Sequence, residues 1–487
     1  MKLFTEKLKP LDLKKCKTVG DIVEAMSHCS FGARMLGDVS KTLLQMITSR
    51  KKPLIVYDGK KDTPLGKLIK KMVGKKWFSG TVSSYDYSQS SHRKDIVVIG
   101  RFPEVVEEAL FQKPERAVYI NNYGLASPDH LKYEGYYPDV IFSDPRFAVP
   151  ALYDFLLQNL ENKITTISDF IANICVYGGV ATAASHGAQV FKEMADDPDC
   201  SVFLTVSGAM TVGKMGLIIS DMIDMDMIQY FATTGALMAH GFVENVGLKH
   251  YKYNPQYDDT VLARHKINRV TDTLEPETNL NSVEKIMSDI LDGIDAGKPI
   301  APSFINQVIG EYLAENYPKS RGILKSAFEM KVPVFIPAFV DSEIGNDVYL
   351  HNEIRGIKGK PKILIDMELD TKNLIKAATK AKKIGIFTIG GGVPRNNIQN
   401  VSPLIEIINN RLNLDLPKAM FNYGCRICPD PPYHGHLSGC TYSEGMSWRK
   451  MDALGKFAEI KSDATIVWPF LVKYVMETKE KEAKKDP

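Results

Sequence analysis

The amino-acid sequence predicts an α/β fold built on a doubly wound parallel sheet, with an additional α/β unit at the N-terminus. Two observations carry the prediction. Short apolar runs recur without polar alternation, as in "KPLIVYDG", "KDIVVIG" and "CSVFLTVSG". Strands buried on both faces read this way, because neither face meets water. Each run is followed by a stretch with helical spacing, namely "TPLGKLIKKMVG", "PEVVEEALF" and "GKMGLIISDMIDM". Strand and helix in alternation imply βαβ units, whose ligands gather at the carboxyl ends of the strands.

Later in the chain, "VPVFIPAFV", "KPKILIDM", "KKIGIFTIGGG" and "ATIVWPFLV" read as further strands, and the charged tail "METKEKEAKKDP" as the solvated end of a terminal helix. The 487 residues exceed the size at which a single core usually stops growing. A boundary is placed near Asn162, dividing an N-terminal unit (1–162) from the remainder (163–487). The chain also echoes itself. "TVGDIVEAMSHCSFGARMLGDVSKTLLQM" from Thr18 aligns without gaps on "TISDFIANICVYGGVATAASHGAQVFKEM" from Thr166, and "SDPRFAVPALYDFL" from Ser143 on "SDATIVWPFLVKYV" from Ser462. The N-terminal unit is therefore expected to be a degenerate partial copy, with an unrelated α/β unit as the alternative.

A formal charge of +3 over this length offers no argument for nucleic acid, and no apolar stretch approaches the roughly 18 residues that span a bilayer. The first fifteen residues have no run of signal-peptide type, and seven dispersed cysteines suggest reduced thiols in a cytoplasmic setting.

Three loops stand at predicted strand ends: "TVSGAMTVGK", "TTGALMAHG" and "TIGGGVPRNN". Glycine lets a backbone approach a ligand closely, and a following helix N-terminus offers free N–H groups to phosphate, so the three together point to a nucleotide. In "GCRICPDPPYHGHLSGC", Cys425, Cys428, His434, His436 and Cys440 are zinc-ligand residue types. Their spacing is irregular, and no metal site is assigned. In "SEGMSWRKM", a helix would place Glu444 and Trp448 on one face. A lysine beside an aromatic wall is desolvated and becomes a nucleophilic amine, while a tryptophan and a carboxylate suit a cationic amine substrate.

The run Ser438, Gly439, Glu444, Ser447, Trp448 and Lys450 resembles the catalytic stretch of deoxyhypusine synthase. The resemblance extends from about Thr166 to the C-terminus through "VFLTVSGAM", "TTGA", "PAFVDSEIG", "GGGVP" and "SDATIVWPFL". It implies a Rossmann-like fold, a homotetramer with active sites shared between paired subunits, and NAD as cofactor. It also implies transfer of an aminobutyl group from spermidine, through an imine on an enzyme lysine, to a hypusine-type translation factor. In the related homospermidine synthases the group passes to a small amine. By position, Lys450 matches the covalent lysine, and Trp448 and Glu444 match the polyamine pocket. Thr233, Thr234, Gly235, Ser207, Gly208, Asp341, Ser438, Asp463 and Ala464 match cofactor contacts. Asp347 matches a pocket aspartate displaced by Asn346, and the family's proton-transferring histidine falls on Asn397. His436 and Leu437 replace an acidic run, and Ala209 and Met210 replace polar residues of the first cofactor loop. These departures resemble the deoxyhypusine synthase-like branch of prokaryotes. The alternatives are a small-amine transferase, a catalytically inactive regulatory member, or a zinc enzyme using Cys425, Cys428, His434 and His436.

Overall fold

The computed structural model describes residues 4–88, 95–100, 105–106, 116–121 and 139–483. Of the helix expected over "PEVVEEALF", only Val105 and Val106 fall among the described residues, and both are helical. The last four residues of the charged tail also lie outside them; what precedes is the end of a helix.

The chain divides into two compact units. One comprises Asp12–Ala188 and Ile460–Pro487; the other comprises Met1–Leu11 and Gln189–Glu459. The division thus departs from a boundary at 162. Asn162 does end a helix, in the left-handed conformation with φ 53°, but residues 163–188 and the C-terminal helix fold with the residues that follow Leu11. Helical hairpins bury their apolar faces on whichever neighbour completes a core, and chain order does not dictate that choice.

The unit of Asp12–Ala188 and Ile460–Pro487 is built on β1 (Leu54–Val56), β2 (Gly80–Val82), β3 (Ile96–Ile99), β4 (Ala117–Asn121) and β5 (Asp139–Phe142). Their order is β2-β1-β3-β4-β5 and every pairing is parallel. Its helices are α1 (Val19–Met26), α2 (Phe31–Thr48), α3 (Pro64–Gly74), α4 (Ser84–Ser88), α5 (Pro145–Glu161), α6 (Ile167–Ile174), the first part of α7 (Gly179–Asp196), and the C-terminal helix Ala464–Ala483. Thr18 opens α1 with a capping box: its hydroxyl accepts from the Asp21 N–H at 3.1 Å while Asp21 accepts from the Thr18 N–H. At the start of α6 the Thr166 hydroxyl likewise accepts from the Asp169 N–H at 3.1 Å, and it donates to the Asp169 carboxylate at 2.7 Å.

The stretch "ATIVWPFLV" is helical rather than extended. Asp463 accepts from the Thr465 N–H at 2.7 Å and caps the helix start. Ile466, Val467, Trp468, Phe470 and Leu471 are all fully buried. A helix buried all round carries no amphipathic period, so a short apolar run cannot be told from a buried strand by pattern alone.

The other unit holds β6 (Cys200–Val206), β7 (Tyr230–Thr233), β11 (Val334–Phe335), β12 (Lys383–Ile389), β13 (Phe421–Ile427) and β14 (Met451–Ile460, all but its last residue) in the order β11-β7-β6-β12-β13-β14. A three-stranded antiparallel sheet, β8 (Tyr251–Lys252), β9 (Ile267–Val270) and β10 (Thr273–Pro276), stands beside it in sequence. Of its helices, those that bear on the site are α8 (Gly216–Asp224), α9 (Gly235–Asn245), α10 (Glu277–Asp292), α11 (Glu343–Ile357), α12 (Gly392–Gln399) and α13 (Tyr442–Ser447), and the C-terminal helix is α14. "KPKILIDM" makes only an isolated bridge from Ile365 to Ile300, and "VPVFIPAFV" supplies only the two residues of β11 before turning. Phe203, Ile386 and Phe421 on adjacent strands centre the core beneath the site.

Gly37 of α2 passes so close to the α1 terminus that a Cβ would lie 2.2 Å from the Ser27 nitrogen. Gly37→Ala is therefore expected to destabilise this unit by about 1–3 kcal/mol through overpacking. A urea midpoint unchanged from the parent would refute the close approach.

Candidate functional site

Four strands of the larger sheet end at one level, and the residues that follow them converge. Ser207 and Gly208 follow β6, Thr234 caps α9 after β7, Gly390–Gly392 link β12 to α12, and Cys428–Asp430 follow β13. Together with Ala338, Asp341 and Ser438 they line a cavity of about 390 Å³. The strand register makes this possible: Val206 pairs with Thr233 on one side and Ile389 on the other, and Ile389 pairs with Ile427. A larger cleft of about 730 Å³, bounded by Tyr230, Ser303, Asn306, Lys331 and Lys376, lies where β7 and β11 begin. The cavity at the carboxyl ends is the better site, because there the backbone N–H groups and helix N-termini face a ligand.

Of the residues singled out from sequence, Ser207, Gly208, Thr233, Thr234, Gly235, Asp341 and Ser438 all line this cavity. The Thr233 hydroxyl is spent internally on the Val206 carbonyl at 2.9 Å, so that residue contributes backbone. Thr234 Oγ1 accepts from the Leu237 N–H and donates to the Gly208 carbonyl at 3.1 Å, tying the first two loops together. Gly208, Gly390 and Gly392 have φ of 72°, 77° and 67°, and a Cβ built on Gly208 would meet nothing within 4 Å. Left-handed glycines around open space form a cradle that a phosphate-bearing ligand can approach. Asp463 and Ala464 are not among its lining residues. They belong to the other unit, where the Asp463 carboxylate is engaged as the α14 cap. Asp430 was not anticipated; it lines the cavity and accepts from the Ser438 hydroxyl.

Lys450 is placed by a turn. α13 ends at Ser447, with the Arg449 N–H donating to the Met446 carbonyl at 2.9 Å and the Lys450 N–H to the Gly445 carbonyl at 3.0 Å. This is a Schellman closure whose left-handed position, normally glycine, is Arg449 at φ 56°. The reversal brings the Lys450 ammonium to 5.8 Å from the Trp448 ring centre. Lys450 Nζ donates to Asn396 Oδ1 at 2.9 Å, on the helix that the triple glycine opens. The side chain meeting the lysine is thus Asn396, one position before Asn397. Burial lowers the Lys450 pKa below its ordinary value, against the pull of the Cys440 and Glu444 charges. Glu444 stands exposed in the first turn of α13.

Asp347 lies on α11 one turn beyond Glu343, in a helix that runs unbroken through Asn346. Burial, then the charges of Glu284 and Glu343, push its carboxyl up to about 7. Such a shift marks a place where a cation would be welcome.

Cys425 is fully buried and Cys428 nearly so, its Sγ against the Ser438 carbonyl at 3.5 Å, while His434 and His436 lie on an exposed turn. Among the described residues, three metal-capable side chains converge only at His240, His250 and Glu275. There Lys214 Nζ lies 2.7 Å from His250 Nδ1, so a divalent cation would meet an ammonium. This buried cluster left no mark in the sequence, because its members come from α9, the following loop and β10.

The deoxyhypusine synthase family profile matches residues 169–475. "Probable deoxyhypusine synthase 2" of Methanosarcina mazei is 29% identical over 312 residues, 64% of this chain and 87% of that protein. "Probable deoxyhypusine synthase" of Methanosarcina thermophila is 33% identical over 302 residues, 61% of this chain and 88% of the relative. "Deoxyhypusine synthase-like protein" of Chlorobaculum parvum is 29% identical over 291 residues, 60% of this chain and 80% of the relative.

Burial alone would raise Glu275, but the facing imidazoles outweigh it and hold the carboxyl at about 2 against an ordinary 4.5. Burial would lower His250, but Glu244 and Glu275 outweigh it and raise the ring above 6.5. The carboxylate's stabilisation is therefore complete above pH 4.5 and lost as pH falls towards 2, while the imidazolium's is complete below 6.5 and lost as pH rises through its folded value. Thermal stability should peak between these limits, and Glu275→Gln should flatten the acid limb. An acid limb unchanged in that variant would show the pair contributes nothing.

Proposed function

The chain belongs to the deoxyhypusine synthase family, and on that premise we propose that it transfers an aminobutyl group from spermidine or a related polyamine, with NAD as cofactor and Lys450 as covalent carrier. The observation that carries the proposal is the meeting of a desolvated Lys450 amine with Trp448 and with Asn396 on α12, the helix whose glycines form one wall of the cavity.

The residues present fit a dinucleotide. Gly208 and Gly390–Gly392 would receive its phosphates against the N-termini of α9 and α12, and Asp341 would meet a ribose hydroxyl. NAD, when bound, supplies a hydride acceptor for the amine carbon and later returns the hydride. The chain's own groups do the rest. The lowered pKa keeps a larger fraction of Lys450 as neutral amine, able to attack the oxidised imine carbon while the leaving diamine takes up the proton. Asn396 fixes the position of Nζ but cannot shuttle a proton, so proton transfer falls to the amines and to water. Trp448 offers a face to a cationic methylene chain. Asp347, near neutrality when empty, would ionise beside an incoming ammonium.

Lys450→Arg is expected to abolish transfer while leaving NAD affinity within a few-fold of the parent. The trapping experiment reads the carrier directly: borohydride added with NAD and spermidine should fix a butylamine-sized mass on Lys450. Transfer retained by the arginine variant, or an adduct mapped elsewhere, would remove Lys450 from the mechanism. The chemical step should also quicken as pH rises, with its midpoint below 10.5, the ordinary lysine value. A midpoint at or above that value would argue that burial leaves the amine unactivated.

A further inference from the structure

The two internal sequence echoes have structural counterparts that extend well beyond them. α1 and α2 contain 8 and 18 residues, and so do α6 and α7. Phe31 and Gly179, the first residues of the two long helices, both have positive φ, at 59° and 52°. α5 and α14 each begin after a capping aspartate, Asp144 or Asp463, and each carries an internal proline, Pro150 or Pro469, six residues on from its cap. The strand order β2-β1-β3-β4-β5 is repeated by β7-β6-β12-β13-β14.

The helical elements of the two series also engage one another reciprocally. Asp144, which caps α5, accepts from the Val180 N–H at the start of α7 at 3.3 Å. Asp463, which caps α14, accepts from the Gly32 N–H at the start of α2. In the alignment of the echoes Gly32 stands opposite Val180, and Asp144 opposite Asp463. Residue i of one element meeting j of the other, and j meeting i, is the signature of an isologous, two-fold interface.

Equivalent positions at the strand ends follow from the register. Gly100 and Gly390, both with positive φ, donate to Ile120 and Ile427 on the next strand. From that anchor the pairings place Asp58 opposite Ser207, Gly59 opposite Gly208, and Ser83–Ser84 opposite Thr233–Thr234. In the N-terminal series the Asp58 carboxylate accepts from both the N–H and the hydroxyl of Ser84. The Ser84 N–H, which the register sets opposite that of Thr234 at the start of α9, is thus already taken by an anion of the chain.

We propose that residues 18–161 are a second copy of the family fold whose cofactor cleft is closed by Asp58, and that the chain thereby carries its own partner subunit, joined through the α2–α14 and α5–α7 contacts. The pairing stands on the contacts alone; the closed cleft rests on the NAD reading above. Two cysteine pairs test the pairing on the full chain: Ala33→Cys with Thr465→Cys, where the Ala33 N–H now meets the Thr465 hydroxyl at 2.9 Å, and, at the α5–α7 contact, Asp144→Cys with Val180→Cys. After oxidation, intact mass under denaturing conditions should show cross-linked single chains. Cross-linked dimers, or no cross-link in a folded variant, would overturn the pairing, and two independent pairs guard against one failing to fold. Titration of the parent with NAD should give one site per chain. Two sites would overturn the closed cleft. No binding would instead sink the cofactor reading, and the cross-links would still decide the pairing.

Discussion

The candidate site depends first on hydrogen-bond register. β6 is held between β7 and β12, with Val206 level with Thr233 and Ile389. A parallel sheet fixes where each strand stops relative to its neighbours, because a one-residue slip would turn every side chain to the other face. With β6, β7, β12 and β13 ending together, four loops from distant parts of the chain open on one cavity. The buried Thr205–Thr388 hydroxyl bond at 2.9 Å crosses β6 and β12 just beneath it and pins the level.

Elsewhere in this unit the electrostatics are arranged at some cost to stability. Lys450 is held in a half-buried place that penalises its charge, and Asp347 is crowded by two other carboxylates. Arg449 occupies a left-handed position where glycine would be more comfortable. Strained or poorly compensated groups persist where the surrounding structure over-determines them, and sites are where they collect. The cluster of Lys214, Glu244, His250 and Glu275 is the opposite case: more deeply buried, but with each cation paired to a carboxylate.

Much of this was legible in the sequence. The strands at 54, 96, 200 and 383 and the helix over Pro64–Gly74 were readable from apolar runs and helical spacing. The glycine loops were readable from residue type, and seven residues named from the resemblance share one cavity. The misreadings have physical causes. α14 looked extended because a helix buried on all sides has no polar face to set its period. "KPKILIDM" looked like a strand because three apolar residues in a row say nothing about whether a neighbouring strand is there to pair. That Asn396 meets Lys450 was not readable, because spacing along a helix cannot tell which side chains face a partner from another element.

Composition, strand pattern, the glycine loops and the run ending in Lys450 are local properties, and the sequence by itself determined them, together with the repeated helix pair at Thr18 and Thr166. Tertiary structure alone decided which segments share a core, so that 163–188 and 460–487 joined the N-terminal unit and took Asp463 into a helix cap. It alone brought Asn396 to Lys450 and assembled His240, His250 and Glu275. The reason is common to all of these: each is a contact between residues far apart in the chain, selected by burial and by the pairing of charges, which no local pattern records.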